Sequence, residues 1–77
     1  MQTNTIKQLI LTAIADAEIL IEGDGSHFNA TVITPAFAGQ SRIKRQQMVY
    51  DAVKKELLDG TLHALSLKTF TPEEYQA

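Results

Sequence analysis

The stretch SRIKRQQMVYDAVKKELLDGTLHALSLKTF, residues 41–70, decides the fold of this chain. Its first part is typical of a helix, because Ser41 is a suitable N-cap and Gly60 can take the left-handed conformation that ends a helix. We therefore expect one long helix between these two residues. The residues that follow alternate between apolar and polar, which predicts a strand with Leu65 and Leu67 on its buried side.

A helical wheel divides the predicted long helix into a buried and a solvent face. The residues expected to be buried are Ile43, Val49, Tyr50, Val53, Leu57 and Leu58. Those expected on the solvent face are Lys44, Met48, Ala52 and Lys55. His63 follows this helix at the entrance to the strand, where we expect its side chain to reach solvent.

The residues before this stretch predict a helix and a β-hairpin. Apolar residues at helical spacing indicate a first helix, and alternation with β-branched residues indicates two strands. The turn GDG between the strands favours a tight hairpin, since such residues tolerate positive φ. The predicted segments are a helix over 4–15, strands over 16–22 and 28–34, and a loop over 35–40 in which Phe37 plugs the core.

The end of the chain predicts one more helix. Thr71, Pro72 and Glu74 are suited to the N-cap, first and third helical positions, and together they predict a capping box. The full order is therefore α-β-β-α-β-α, in a single domain of the α+β class over residues 1–77. We expect a three-stranded mixed sheet, its third strand parallel to the second, with helices covering one face.

The composition excludes several classes of protein. With 77 residues the chain has room for one small core, and it contains no cysteine to form a disulfide or to ligate a metal. No apolar run is long enough to span a membrane, and no signal-peptide pattern opens the chain. The net charge of −2 provides no overall basic field. We expect a cytoplasmic protein that is monomeric when alone.

The sequence contains neither a complete hydrolytic triad motif nor a complete phosphate-binding loop. Asp24, Ser26 and His27 are the residue types of a hydrolytic triad, but no nucleophile elbow or oxyanion loop accompanies them. The Gly23-Asp24-Gly25 turn lacks the third glycine and the Lys-Ser/Thr pair of a phosphate-binding loop. We therefore expect no enzymatic activity.

The two histidines, His27 and His63, suggest a shared metal site. Both precede predicted strands that run in parallel, so both should lie at the same end of the sheet. Two imidazoles do not complete a tetrahedral site, so the chain offers at most half of one, completed by another molecule. The alternative is that both are ordinary surface residues, one with a local hydrogen bond and one solvated.

Basic residues on the long helix suggest a nucleic-acid surface instead. Arg42, Lys44, Arg45 and Lys55 could contact phosphates along one helix face. The alternative is that they form only the solvated face of an amphipathic helix. Aromatic residues for base stacking are scarce outside core-facing positions, and there is no Gly-x-x-Gly clamp of the kind that grips nucleotides in KH domains.

Three segments, in order along nearly the whole chain, are similar to the BolA family and within it to the bacterial IbaG-like (YrbA-type) branch. They are GDGSHF at 23–28, FAGQSRIKRQQMVY at 37–50 and LHALSLKTFTPEEY at 62–75. The resemblance implies a class II KH-like fold without the Gly-x-x-Gly loop. It also implies a monothiol glutaredoxin as partner, with a [2Fe–2S] cluster shared between the glutaredoxin cysteine, glutathione and the BolA-like chain.

The resemblance implies particular ligands for that cluster. The family's C-terminal histidine ligand corresponds to His63 in the segment LHAL. The second ligand comes from the loop between the first two strands, and His27 is the candidate here, although its position directly before Phe28 differs from the cysteine-type loop. The family is also described as transcriptional regulators of stress response and cell shape, which is the alternative function for the basic helix.

Overall fold

The computed structural model describes residues 1–77 and has an α+β fold. Its helices are α1 (Thr3–Ala13), α2 (Arg42–Ala52), α3 (Lys54–Asp59) and α4 (Pro72–Gln76), and a 3₁₀ turn covers Pro35–Phe37. Its strands are β1 (Glu18–Gly23), β2 (His27–Ile33) and β3 (Ala64–Phe70). The predicted order of elements is confirmed, except that two helices replace the single long one.

The three strands form one mixed sheet in the order β1-β2-β3. β1 pairs antiparallel with β2 through the hairpin, from Gly23 opposite Phe28 to Glu18 opposite Ile33. β2 pairs in parallel with β3, and its register places His27 opposite Ala64. The predicted mixed topology is confirmed.

The core lies on one face of the sheet. Alternate residues of the central strand, Phe28, Ala30 and Val32, are buried there together with Leu65 and Leu67 of β3. The other core residues come from the helices, β1 and the connecting segments: Ile6, Ile10, Ile14, Ile19, Phe37, Val49, Val53 and Leu62. The opposite face of the sheet exposes Glu18, Leu20, Glu22, Ser66 and Lys68. The expectations that the helices cover one face and that Phe37 plugs the core are confirmed.

The prediction of one long helix is wrong, because the helix breaks at Val53. The predicted ends are correct: the Ser41 hydroxyl accepts the backbone N–H of Lys44 at 3.1 Å, and Gly60 has φ 83°. Val53 has φ −118° and ψ 17°, and its N–H donates to the carbonyl of Tyr50 at 3.1 Å instead of four residues back.

The break at Val53 is small, and it leaves this side chain in the core. The side chain of Val53 is completely buried, and burying a valine side chain contributes about 1.5–3 kcal/mol. A helical hydrogen bond that is shifted by one residue costs at most its net worth of about 1 kcal/mol. Val53, four residues after the buried Val49, therefore stays in the core across the break.

The predicted faces of this segment need two corrections. Ile43 and Leu58 were expected in the core but are 81% and 77% exposed. Met48 and Ala52, expected to face solvent, are half-buried. The buried stripe is centred on Val49 and Val53, and at 3.6 residues per turn Ile43 and Leu58 lie about 120° and about 180° from Val49.

α4 is joined to the rest of the fold by the predicted capping box and by an ion pair. The Thr71 hydroxyl accepts the N–H of Glu74 at 3.2 Å, and Glu74 Oε1 accepts the N–H of Thr71 at 2.9 Å. Arg45 Nη1 and Nη2 donate to the two Glu74 carboxylate oxygens at 2.6 and 3.2 Å. Arg45 Nε also donates to the Gln40 carbonyl at 2.9 Å, and its guanidinium lies 5.8 Å from the centre of the Phe37 ring. One arginine thus connects α2, α4 and the loop between β2 and α2.

The Arg45–Glu74 pair predicts a pH-dependent loss of stability in Glu74→Gln. Hydrogen bonding from Arg45, and then from the Thr71 N–H, lowers the pKa of Glu74 from 4.5 to about 2. Since the folded-state pKa is depressed, the carboxylate stabilises the fold above about pH 4.5, and this contribution disappears as the pH falls toward 2. Urea unfolding should show Glu74→Gln less stable than wild type at pH 7, with a difference that shrinks between pH 4.5 and 2.

Glu73→Gln is the control for this measurement, because the exposed Glu73 side chain makes no ion pair with Arg45. The glutamine amide at position 74 retains an oxygen that can accept the Thr71 N–H, so the substitution removes the charge and spares the cap. A stability difference that stays constant down to pH 2 would contradict the assignment.

Candidate functional site

The hairpin turn before His27 is held by the carboxylate of Asp24. Asp24 Oδ1 accepts the backbone N–H groups of Ser26 and His27, both at 2.9 Å. The Asp24 N–H in turn donates to the His27 carbonyl at 3.2 Å, and Gly25 has φ 98°, which suits glycine. The N–H groups of His27 and Ser26 lower the pKa of the Asp24 carboxyl. The predicted tight turn is confirmed, and the backbone of His27 is bonded to Asp24 through both its N–H and its carbonyl.

A close contact between Gly23 and Phe28 closes the hairpin below this turn. The two residues are opposite each other in the ladder, and the Phe28 side chain is buried. A Cβ atom on residue 23 would lie 2.3 Å from Phe28 Cδ1 and 2.7 Å from the His27 carbonyl oxygen. Position 23 therefore requires glycine because of close packing next to His27.

A second turn of the same kind precedes His63. Asp59 Oδ1 accepts the N–H of Thr61 at 2.9 Å, and hydrogen bonding from Thr61 lowers the pKa of the Asp59 carboxyl. Gly60 is left-handed, and the N–H of Leu62 donates to the Glu56 carbonyl at 3.0 Å. Because Leu62 is buried, the backbone directly before His63 is anchored in the core.

The register brings both histidines to one end of the sheet, as the sequence predicts. His27 is the first residue of β2 and pairs with Ala64, the residue directly after His63. His27 therefore opens β2, and His63 directly precedes the adjacent strand β3, whose backbone lies about 4.8 Å away. Both side chains are exposed, which confirms the expected position of His63 at a solvent-accessible strand entrance.

The donor set at this end is limited to the two imidazoles. No group of three or more histidine, aspartate or glutamate side chains is placed to hold a metal ion. One carboxylate oxygen of Asp24, Oδ1, accepts the two backbone N–H groups of Ser26 and His27. Two imidazoles do not complete a metal site, so a metal held here would need ligands from another molecule.

The arrangement of Asp24, Ser26 and His27 is that of a turn. Asp24 bonds the backbone of the other two residues, and no hydrogen bond links the Ser26 hydroxyl to the imidazole. A hydrolytic triad needs the carboxylate on the imidazole and the imidazole on the hydroxyl. The geometry provides neither contact.

The structure distinguishes Arg45 from the other basic residues proposed for nucleic acid. Arg42, Lys44 and Lys55 are exposed, and none of them forms a salt bridge. The Arg45 side chain is only 13% exposed, and it is bonded to Glu74 and Gln40. Three cations of α2 and α3 are therefore free to meet an anionic partner, while Arg45 is engaged within the fold.

Sequence reasoning did not identify Asp59 or the structural role of Asp24. A signal for both was present, because Asp-Gly followed by Ser or Thr occurs shortly before each histidine, as DGSH at 24–27 and DGTLH at 59–63. Aspartate side chains commonly accept a hydrogen bond from the backbone N–H two residues further along the chain.

The helices give no sign of a membrane-spanning segment, because none of them combines the necessary length with sufficient apolar character.

The fold defines the class of this protein: a small α+β protein with a mixed three-stranded sheet that is covered by helices on one face. The family model described as "BolA-like protein" matches residues 8–74. The chain therefore belongs to the BolA-like family, which confirms the resemblance drawn from GDGSHF and the two longer segments.

Similar proteins span nearly the whole chain. It is 37% identical over 75 residues to the acid stress protein IbaG of Escherichia coli K12, covering 97% of this chain and 89% of that protein. A BolA homologue from Coxiella burnetii has TM-score 0.88 and 42% identity, covering 100% and 99% of the two chains. The BolA domain of SufE1 from Arabidopsis thaliana has TM-score 0.79 and 28% identity, covering 96% and 98%.

The contact between Gly23 and Phe28 predicts that Gly23→Ala destabilises the protein. The added methyl group would collide with the ring of Phe28 and with the His27 carbonyl, so the ring or the hairpin must shift. Overpacking of this kind costs about 1–3 kcal/mol. Chemical denaturation should show this loss, with Ser26→Ala in the same hairpin as the control. Equal stability of Gly23→Ala and wild type would contradict the contact.

Proposed function

We propose that this protein is a non-enzymatic partner of a monothiol glutaredoxin, with which it shares a [2Fe–2S] cluster. The observation that carries the proposal is the pair of exposed imidazoles, His63 and His27, at the starts of adjacent strands with no third ligand beside them. Membership of the BolA-like family supports it. In this proposal the glutaredoxin cysteine and glutathione supply the remaining ligands.

The chemistry of the two imidazoles suits this role. A neutral histidine ligates iron through a ring nitrogen, and replacement of cysteine by histidine raises the potential of a [2Fe–2S] centre. The chain has no cysteine, so the thiolate ligands must come from the partner and glutathione. When bound, the cluster supplies one-electron redox chemistry. The residues of this chain contribute ligation and its geometry.

The relatives favour a role in iron–sulfur trafficking or in the response to iron, redox or acid stress. One relative is named an acid stress protein, and a structural neighbour is the BolA domain of a SufE protein. We place this function in the cytoplasm and assign no catalytic residue to it. We assign His63 as the ligand that contributes more to cluster binding, because the backbone before it is anchored by buried Leu62. His27 is the ligand that contributes less.

The cluster proposal predicts the loss of a spectroscopic complex in His63→Ala. Clusters are reconstituted on a monothiol glutaredoxin with glutathione, and this protein is then added while absorption and circular dichroism are recorded in the visible region. Wild type should produce a new one-to-one spectrum, because an imidazole replaces a ligand on iron. His63→Ala should fail to produce it, and His27→Ala should produce it with lower apparent affinity.

Ser66→Ala, an exposed substitution on the open face of the sheet, is the control and should behave as wild type. Each variant is compared with wild type in its far-ultraviolet spectrum, since both histidines are on the surface and their removal should leave the fold intact. No spectral change with wild-type protein would eliminate the cluster function for this partner.

The second candidate function is DNA binding by a regulator of stress response and cell morphology. It is favoured by one specific observation: Arg42, Lys44 and Lys55 are exposed on α2 and α3 and form no salt bridge. Such cations can contact phosphates and release counterions. This function would not require either histidine.

DNA binding predicts a salt dependence that follows these three residues. Each of Arg42→Gln, Lys44→Gln and Lys55→Gln should weaken binding and lower the slope of log K against log salt by about 1. Lys68→Gln, the same charge change on the open sheet face, is the control. Arg45 is unsuitable for this test, because its substitution also removes the bridge to Glu74. Unchanged slopes in all three variants would exclude this surface.

A further inference from the structure

The two histidines are preceded by turns of the same construction. In the sequence these are DGSH at 24–27 and DGTLH at 59–63. In each, the aspartate Oδ1 accepts the backbone N–H two residues on at 2.9 Å, from Ser26 in one turn and Thr61 in the other. The glycines between them both have positive φ, 98° and 83°. A hairpin and a helix end, which are unrelated in secondary structure, thus enter parallel strands through matching turns.

The two turns act at different distances from their histidines. Asp24 bonds His27 directly, through the N–H at 2.9 Å and the carbonyl at 3.2 Å. Asp59 bonds only Thr61, and the chain then reaches His63 through Leu62, which is 1% exposed and donates to Glu56. Within its turn, His27 is therefore held by hydrogen bonds to Asp24 alone. The backbone before His63 is held both by the turn at Asp59 and by the burial of Leu62.

We propose that Asp24 and Asp59 are positioning residues, which fix the backbone before His27 and His63 so that both imidazoles are oriented before a cluster or partner binds. This inference rests on the proposed function, since it concerns the ligands of the shared cluster. Ligation by a mobile loop loses affinity to the entropy of ordering that loop, and a loop that is already ordered avoids this loss. The parallel ladder between β2 and β3 pairs His27 with Ala64, the residue after His63. With both turns ordered, this pairing holds the backbones of the two histidines in a fixed relative position.

The isolated protein provides the first test. Asp24→Ala should speed hydrogen exchange of the Ser26 and His27 amides about tenfold, as expected for loss of hydrogen bonds to a carboxylate, and Asp59→Ala should do the same at Thr61. Asp24→Asn and Asp59→Asn keep an oxygen acceptor and should restore most of the protection. Asp51→Ala is the control, because the exposed Asp51 side chain makes no hydrogen bond to either turn. Unchanged exchange in the two alanine variants would overturn the inference.

The shared-cluster complex provides the second test, in two backgrounds. In the otherwise wild-type chain, Asp24→Ala and Asp59→Ala should each weaken the one-to-one glutaredoxin complex about tenfold. In the His27→Ala background, Asp24→Ala should have no further effect, because the ligand it positions is gone. Asp59→Ala should keep its full effect there, because His63 is still present. A residue that only stabilised the fold would weaken the complex equally in both backgrounds.

The outcomes separate this inference from the proposed function. A wild-type protein that forms no complex eliminates the cluster function and the positioning role with it, and this is seen without any aspartate variant. A wild-type complex that Asp24→Ala and Asp59→Ala leave unchanged overturns the positioning role alone. So does an Asp24→Ala effect that is as large in His27→Ala as in the wild-type chain.

Discussion

The parallel pairing of β2 with β3 is the constraint on which the rest of the structure depends. A parallel pair cannot be joined by a tight turn, so the chain must cross from the end of β2 back to the start of β3. The segment with α2 and α3 makes this crossing and covers the sheet with Val49 and Val53. Because parallel strands begin at the same edge, the residues that open them, His27 on β2 and the residue after His63 on β3, become neighbours.

The segment with α2 and α3 has an inner side that forms part of the core and an outer side that faces solvent. Its inner side supplies the core through Val49 and Val53, and the helix is interrupted at Val53. Arg45 is oriented inward toward Phe37 and Glu74 and ties three parts of the chain together. The outer side keeps Arg42, Lys44 and Lys55 in solvent. The basic segment of this protein therefore contains both structural and free cations, and charge alone does not separate them.

The sequence predicted the structure best where residues close together in the chain determine a cap or a turn. The Ser41 cap, the Thr71–Glu74 capping box and the turn at Gly25 are determined by residues within a few positions of each other, and all are as predicted. The positions of Ile43 and Leu58 depend on which side of the helix meets the sheet, and the wheel assigned them wrongly. The candidate site shows the same contrast: the sequence placed both histidines at one end of the sheet, whereas it did not identify the aspartates that hold the turns before them.

The sequence by itself determined the α+β class, the order of strands, the capped helix ends and the placement of two histidines at the same end of two parallel strands. These features follow from periodicity, turn chemistry and the rules of strand connection, which act over short distances along the chain or restrict topology to few choices. Only the tertiary structure decided that the long helix breaks at Val53 and that Arg45 is bonded to Glu74, 29 residues away. The physical reason is that burial and ion pairing depend on which distant surfaces meet, and a local pattern contains no information about its partner.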